Sequence, residues 1–185
     1  PIPFAIMATD TDSYIQTTTM NFVSRKATID GAKQVELKGR SIVEHDVRIR
    51  GDLAPVQVGR YCRIDPHTVI QPPNMPSEDG HVPILIGSHT WIGENCTAEA
   101  AAIGSMCWIG KNVDLGARCI IKDCCVIADD TRLPRDMVVP PFSRISTRNG
   151  RVHRTELPPA VTIELQERAM EDYQSFVAKQ QSRKL

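Results

Sequence analysis

Ile103-Gly-Ser-Met-Cys-Trp, Ile109-Gly-Lys-Asn-Val-Asp, Leu115-Gly-Ala-Arg-Cys-Ile, Ile121-Lys-Asp-Cys-Cys-Val, Ile127-Ala-Asp-Asp-Thr-Arg and Leu133-Pro-Arg-Asp-Met-Val, closing on Val139, form one unbroken run. An aliphatic residue returns at every sixth position, and small residues (Gly104, Gly110, Gly116) follow the first three. Four places after each anchor stand Cys107, Val113, Cys119, Cys125, Thr131, Met137 and Ser143, mostly small. A period of six is neither the 3.6 of a helix nor a strand alternation. It is the hexapeptide period of a parallel β-helix, each hexad giving one short strand and one corner.

The same count extends to both sides. Hexads begin weakly at Val23 and Ile29 and resume at Leu37, Val43 and Ile49, with Val35, Ser41 and Val47 in the companion inward slots. A second triplet is Val58, Ile64 and Ile70, and a third is Ile86, Ile92 and Ala98. If three hexads make a triangular coil, the surplus residues all fall after the third side. Arg50–Gln57 and Gln71–Leu85 are therefore expected to project from one edge, where insertions in repeat proteins gather. The longer, Pro-rich and polar, is expected to be an exposed loop. The count also stacks corner residues: Arg63, Trp91, Trp108 and Val126 form one row, and Val69, Thr97, Asp114 and Arg132 another. Both tryptophans thus lie above one another on the outside.

The expected organisation is an irregular N-terminal lead-in (1–22), a β-helix of about seven coils (23–146), a linker (147–158) and a C-terminal α-helix (159–185). Within the apolar lead, Pro1 to Met7 is short and is expected to be an expression remnant. Leu157-Pro158-Pro159 sets up a helix start, and Leu165, Ala169, Tyr173 and Phe176 make one apolar stripe flanked by Val161 and Val177. That stripe either folds back over the tryptophan row or leaves it open for a partner, since an exposed apolar patch marks an interaction site.

Composition narrows the function. The chain has 185 residues, enough for one domain with a core. Its 22 basic and 22 acidic residues balance, so no whole-chain field draws it to nucleic acid or an anionic membrane. No apolar run approaches the roughly 20 residues of a membrane span, and no secretory leader pattern is visible; a soluble intracellular protein is the expectation. Of six cysteines, Cys62, Cys96, Cys107, Cys119 and Cys125 fall four places after an anchor. They read as core, as free Cys behaves as a small hydrophobe; only Cys124 is off the pattern, and no zinc-ligand spacing exists. The histidines (His45, His67, His81, His89 and His153) show no regular spacing that would gather imidazoles around one metal. Arg135, Arg144, Arg148, Arg151 and Arg154 make a basic segment without aromatic interleaving, which reads as a solvated linker rather than a nucleic-acid surface.

Ile49-Arg50-Gly51-Asp52 resembles the Arg-Gly-Asp corner of the gamma-class carbonic anhydrases. That family's three zinc-binding histidines correspond to Gln71, Glu94 and Glu99 here, so the resemblance implies a related solenoid without imidazole ligands for zinc. A closer resemblance covers nearly the whole chain. Tyr14-Ile15, Val23-Ser24-Arg25, Arg50-Gly51-Asp52-Leu53-Ala54, Val58-Gly59-Arg60 and Ile70-Gln71-Pro72-Pro73 come first. Lys122-Asp123-Cys124-Cys125, Leu133-Pro134, Val138-Val139-Pro140-Pro141-Phe142 and Glu156-Leu157-Pro158 follow in order. This ordered string resembles the dynactin subunit 5 family.

The resemblance implies a left-handed β-helix and a non-enzymatic, cofactor-free subunit of the dynactin pointed-end complex, in the cytoplasm and cytoskeleton. It implies as partners dynactin subunit 6 (a sister β-helix), dynactin subunit 4, the pointed-end actin-related protein, and dynein adaptors or cargo such as early endosomes. Neither nucleic acid nor direct membrane insertion is expected. Candidate interface residues are Arg50, Asp52, Pro72, Pro73, Trp91, Trp108, Pro141 and Phe142. The alternative is a hexapeptide-repeat enzyme, a gamma-carbonic-anhydrase-like protein or an acyltransferase, disfavoured by the replaced histidines.

Overall fold

In the computed structural model, which describes residues 13–75 and 80–183, the hexads close into a triangular parallel β-helix with three sheets as its faces. The first face stacks Phe22–Ser24, Ile42–Val43, Arg63–Ile64, Trp91–Ile92, Trp108–Ile109, Val126–Ile127 and Ser143–Arg148. The second stacks Thr28–Asp30, Arg48–Arg50, Val69–Ile70, Thr97–Ala98, Asp114–Leu115 and Arg132–Leu133. The third stacks Val35–Gly39, Val56–Arg60, Ile84–Ile86, Ala102–Ile103, Ile120–Ile121 and Val138–Val139. The second and third faces are 6-stranded, so six coils are complete and Ser143–Arg148 begins a seventh.

Each anchor points into one continuous core, with Ile49, Val58, Ile70, Ile92, Ile109, Leu115 and Ile127 at 0% exposure. Three residues after the anchor, the backbone turns the corner in the left-handed region. Asp46, His67, Asn95, Asn112 and Asp130 do so between the first and second faces. Tyr61, His89, Met106, Cys124 and Phe142 do so between the third and first. Where glycine directly follows the anchor, the next coil leaves no room for a side chain: a Cβ on Gly104 would lie 2.6 Å from the backbone nitrogen of Asp123.

All six cysteines are buried and unpaired. Four of the five on the pattern do more than fill space. Four thiols donate to a carbonyl one coil away: Cys62 to Gly87 (3.0 Å), Cys96 to Gly110 (3.1 Å), Cys107 to Lys122 (3.2 Å) and Cys125 to Pro140 (3.2 Å). Thr68 and Thr90 use their hydroxyls identically, on Gly93 (2.7 Å) and Gly104 (2.8 Å). Where the slot holds Cys or Thr, the side chain satisfies a carbonyl in a dry interior; Val47 and Val113 fill it without a donor. Thr131, the last of its corner, is the buried side chain left without a partner among the described residues. Burial pushes the Cys62 and Cys96 thiols up to about 11 and Cys119 to about 12.

Three expectations need correction. The N-terminal lead-in is partly ordered: Tyr14–Gln16 pairs antiparallel with Phe22–Ser24. Residues 147–158 are no linker, since Arg151–Glu156 returns antiparallel along Ser143–Arg148 as a hairpin that holds Arg144, Arg148, Arg151 and Arg154. The insertions do fall at one corner, between the second and third faces, but they do not simply project. Val56 and Gln57 lengthen the third face, pairing with Val35–Glu36 and with Ile84–Leu85. Pro72 and Pro73 are buried at the root of a short ladder joining Asn74–Met75 to Gly80–His81. Residues 1–12 lie outside the described residues, and with them the remnant expected at Pro1 to Met7.

The C-terminal helix α1, Val161–Ser182, folds back along the first face and covers its outward row. Val161 and Leu165 pack with Cys124, Trp108, Val126 and Phe142, while Tyr173 and Phe176 pack with Phe22, Ile42, Tyr14 and Tyr61. The lengths match: the 15-residue step from Val161 to Phe176 rises about 22 Å, and the five strand spacings from Val126 to Phe22 span about 24 Å. Arg168 lies 3.6 Å above the Trp108 ring, and Asp172 pairs with Arg63 at 3.0 Å. Arg63 also binds Glu44 and Asp65, both at 2.7 Å, and Asp65 accepts the Trp91 indole N–H at 2.7 Å. Burial opposes the Arg63 charge, but Asp65 and Asp172 more than offset this and hold its pKa above the ordinary arginine range. Tyr173 donates to the Met20 carbonyl at 2.7 Å, tying the helix to the first turn.

Three outcomes follow. Ile109→Ala should cost about 2–5 kcal/mol in denaturant unfolding, and Ile109→Asp should abolish hydrogen-exchange protection of the middle coils. Asp172→Ala, which leaves Arg63 one carboxylate short, should cost about 1–3 kcal/mol and speed proteolysis within α1 before the coils are cut. Native thiols should resist alkylation at pH 8, and six should react on unfolding. Because the folded Cys62, Cys96 and Cys119 thiols have pKa values above the ordinary 9.0, the folded state holds these three protons more tightly. Their contribution is complete below pH 9 and is lost as pH rises through 9 toward 11–12, which pH-dependent melting would read.

Candidate functional site

The residue before each anchor points outward, so each face carries one row. The three rows differ. On the first face Ile42, Arg63, Trp91, Trp108 and Val126 lie in register under α1, with the tryptophan centroids 4.5 Å apart. On the second, Thr28, Arg48, Val69, Thr97, Asp114 and Arg132 form a mostly polar row, with Arg48 on Asp30 at 2.8 Å. On the third, Leu85, Ala102, Ile120 and Val138 make a four-coil apolar ladder in register. No element covers it among the described residues, and Leu85 and Val138 are 52% and 54% exposed. Lys38, Gln57, Ser105, Lys122, Asp123 and Pro141 rim a shallow groove along it.

This ladder is the surface that reading the sequence missed. The signal was available: it is the same slot that stacked the tryptophans, counted on the third side rather than the first. Its geometry suits a flat partner. Outward side chains on adjacent parallel strands stand about 4.8 Å apart, so a run of four offers a straight strip rather than a pocket. An apolar strip with a mixed-charge rim has the form of an interface core within a polar border.

The sequence-derived candidates divide around it. Pro141 borders the ladder, exposed. Arg50 and Asp52 remain at the surface of the corner between the second and third faces, joined by two hydrogen bonds of 2.9 Å that draw the Asp52 carboxyl below its usual range. Trp91, Trp108 and Phe142 are engaged with the chain's own helix or the cluster beneath it, and Pro72 and Pro73 are buried. Those five are thus occupied within the fold, because the same apolar character that marked them as an interface is satisfied by α1 and by the loop root.

The positions equivalent to zinc ligands carry no imidazole. Gln71 and Glu99 follow paired strands on the second face, whereas Glu94 sits at the preceding corner, 3.9 Å from Lys111. Among the described residues, the one group of His, Cys, Asp and Glu close enough to share an ion is His45, Asp46 and His67. Without any regular histidine spacing in the sequence, the fold still brings His45 and His67 onto adjacent coils with ring centroids 5.5 Å apart. His89 stacks on Tyr61 at 5.3 Å, and burial lowers its pKa. His81 and His153 lie in the short ladder and the C-terminal hairpin.

Comparison with known proteins follows the same outline. Solved structures with this arrangement include point mutants of AntD, an N-acyltransferase from Bacillus cereus, in complex with dTDP and coenzyme A. One is 14% identical with a TM-score of 0.54, covering 82% of this chain and 89% of that one. Another is 12% identical with a TM-score of 0.54, covering 86% and 98%. At such identities the likeness is one of fold. A dynactin subunit 5 from Dictyostelium discoideum is 39% identical over 92 residues, 49% of this chain and 46% of that protein, so the match spans about half of the relative's length. The family model described as dynactin subunit 5 matches residues 5–182. With a match over nearly its whole length, this chain belongs to the dynactin subunit 5 family.

Proposed function

We propose that the chain is a non-enzymatic scaffold subunit of dynactin's pointed-end complex, and that the third-face ladder is its principal docking strip. The observation that carries this is the uncovered row Leu85–Ala102–Ile120–Val138 on a rigid frame. The first face is already closed by α1 and the second is polar, which leaves one face with an apolar centre. The partner that best fits a straight, flat strip is another β-helix face, and the sister solenoid dynactin subunit 6 has that shape. Dynactin subunit 4 and the pointed-end actin-related protein would then meet the remaining edges, including the Arg50–Asp52 corner. Cytoplasmic, cytoskeleton-associated placement and a role in joining dynein to adaptors and cargo follow from membership in that assembly. No helix among the described residues is long and apolar enough to cross a membrane.

The acyltransferases share the frame only, and at 12–14% identity that resemblance carries no activity. Ile120→Glu and Val138→Glu place charges on the outward slot and leave the inward anchors untouched. In co-expression with the other pointed-end chains, each should reduce recovery of the sister β-helix by more than about tenfold, equivalent to about 1.4 kcal/mol. The melting temperature of the isolated chain should stay within a few degrees, roughly the shift expected of a surface change. Undiminished recovery with both variants would remove the strip from the interface, and recovery without any dynactin component would remove the assignment.

A further inference from the structure

We infer that the corner formed by His45, Asp46 and His67 is a binding site for a first-row divalent cation such as Zn2+. One ligand atom from each residue lies within 4.8 Å of the other two. His45 Nδ1 is 2.9 Å and His67 Nδ1 3.7 Å from the same Asp46 carboxylate oxygen. Ligand atoms held about 2.0–2.2 Å from a tetrahedral zinc stand roughly 3.4 Å from one another, so rotation of side chains alone brings the three to coordination distance. Two imidazoles and a carboxylate form a donor set for a borderline cation rather than for Ca2+ or Mg2+. Side-chain exposures of 46%, 51% and 59% leave the remaining coordination positions open to water.

The backbone prepares this arrangement. Val43 and Ile64 pair in register, so the corners that follow them lie one above the other. Asp46 and His67 both occupy the left-handed corner position, at φ 56° and 61°, and the His67 N–H donates to the His45 carbonyl at 3.4 Å. Farther along the same corner the equivalent slot holds Asn95, Asn112 and Asp130, which bond to one another in a ladder at 2.9 and 3.0 Å. The column thus changes from amide pairing to imidazole–carboxylate pairing where it reaches His67. The hydrogen bond from His45 draws the Asp46 carboxyl below its usual range, and His67 and Lys26, the latter on the preceding coil, add to this. A bound ion would replace the hydrogen bond that His45 now makes to Asp46 and would fasten the second coil to the third. The site shares no residue with Gln71, Glu94 and Glu99.

The test is titration of the untagged full-length chain with Zn2+ by calorimetry, and with Co2+ by visible absorption. Buried cysteines remove thiolate competition from the native protein. One Zn2+ per chain is expected, with perturbed resonances for two imidazoles in the wild-type spectrum. His67→Asn, which keeps a residue suited to the left-handed corner, and Asp46→Asn should each weaken binding by more than about tenfold, whereas His89→Asn should not. Absence of a saturable site, or binding that survives both variants, would overturn the proposal and leave the corner as a hydrogen-bonded cluster only.

Discussion

Every strand of this solenoid has another coil about 4.8 Å above or below it, and that spacing governs which residue each slot accepts. Where glycine follows the anchor, a side chain would collide with the neighbouring backbone, hence Gly104 against Asp123. Two positions later the chain must turn sharply onto the next face. It enters left-handed geometry there even at bulky positions such as Tyr61, Met106 and Phe142, at a local cost that the stack on either side overcomes. One position further on, a Cys or Thr side chain meets a carbonyl of the next coil, while Val47 and Val113 fill the same slot without a donor. The hexad is therefore a record of contacts with the neighbouring coil more than of any local preference for strand.

The same repetition leaves the outside free to vary, and three faces have been put to three uses. On the first, apolar and aromatic residues are closed by α1, whose length matches the height of six strands and whose Asp172 reaches the half-buried Arg63. Arg63 is central to that contact because it answers Glu44, Asp65 and Asp172 together, while Tyr14 and Trp91 bond to the first two. The second face is polar and needs no cover. The third has apolar residues and no cover from the described chain, which is why it carries the functional reading.

Much of this was legible in the sequence, since a fixed period converts position into neighbourhood. The pairing of Trp91 with Trp108, the inward cysteines and the placement of the insertions at one corner all follow from counting. What counting could not supply was anything set by contacts outside the repeat. The stripe Leu165–Ala169–Tyr173–Phe176 announced a docking helix but not whether it would cover the tryptophans; Arg63–Asp172, separated by 109 residues, decided that. The hairpin after Ser143 was hidden by a polar, arginine-rich composition that reads as linker, yet it is held by strand pairing rather than burial. His45 and His67 escaped notice because they occupy neighbouring slots, second and third after their anchors, and because the coil between them has 21 residues instead of 18.

The two antiparallel additions, Tyr14–Gln16 at one end and Arg151–Glu156 at the other, belong to the same face. A parallel β-helix that simply stopped would present unsatisfied strand edges to any similar coil, and the natural product of that is end-to-end polymer. Here the direction of pairing is reversed at both described ends of the first face, while the second and third faces end on parallel strands. A further parallel coil therefore cannot extend the first face in the same pattern, and the reversal acts as a stop on one side of the triangle.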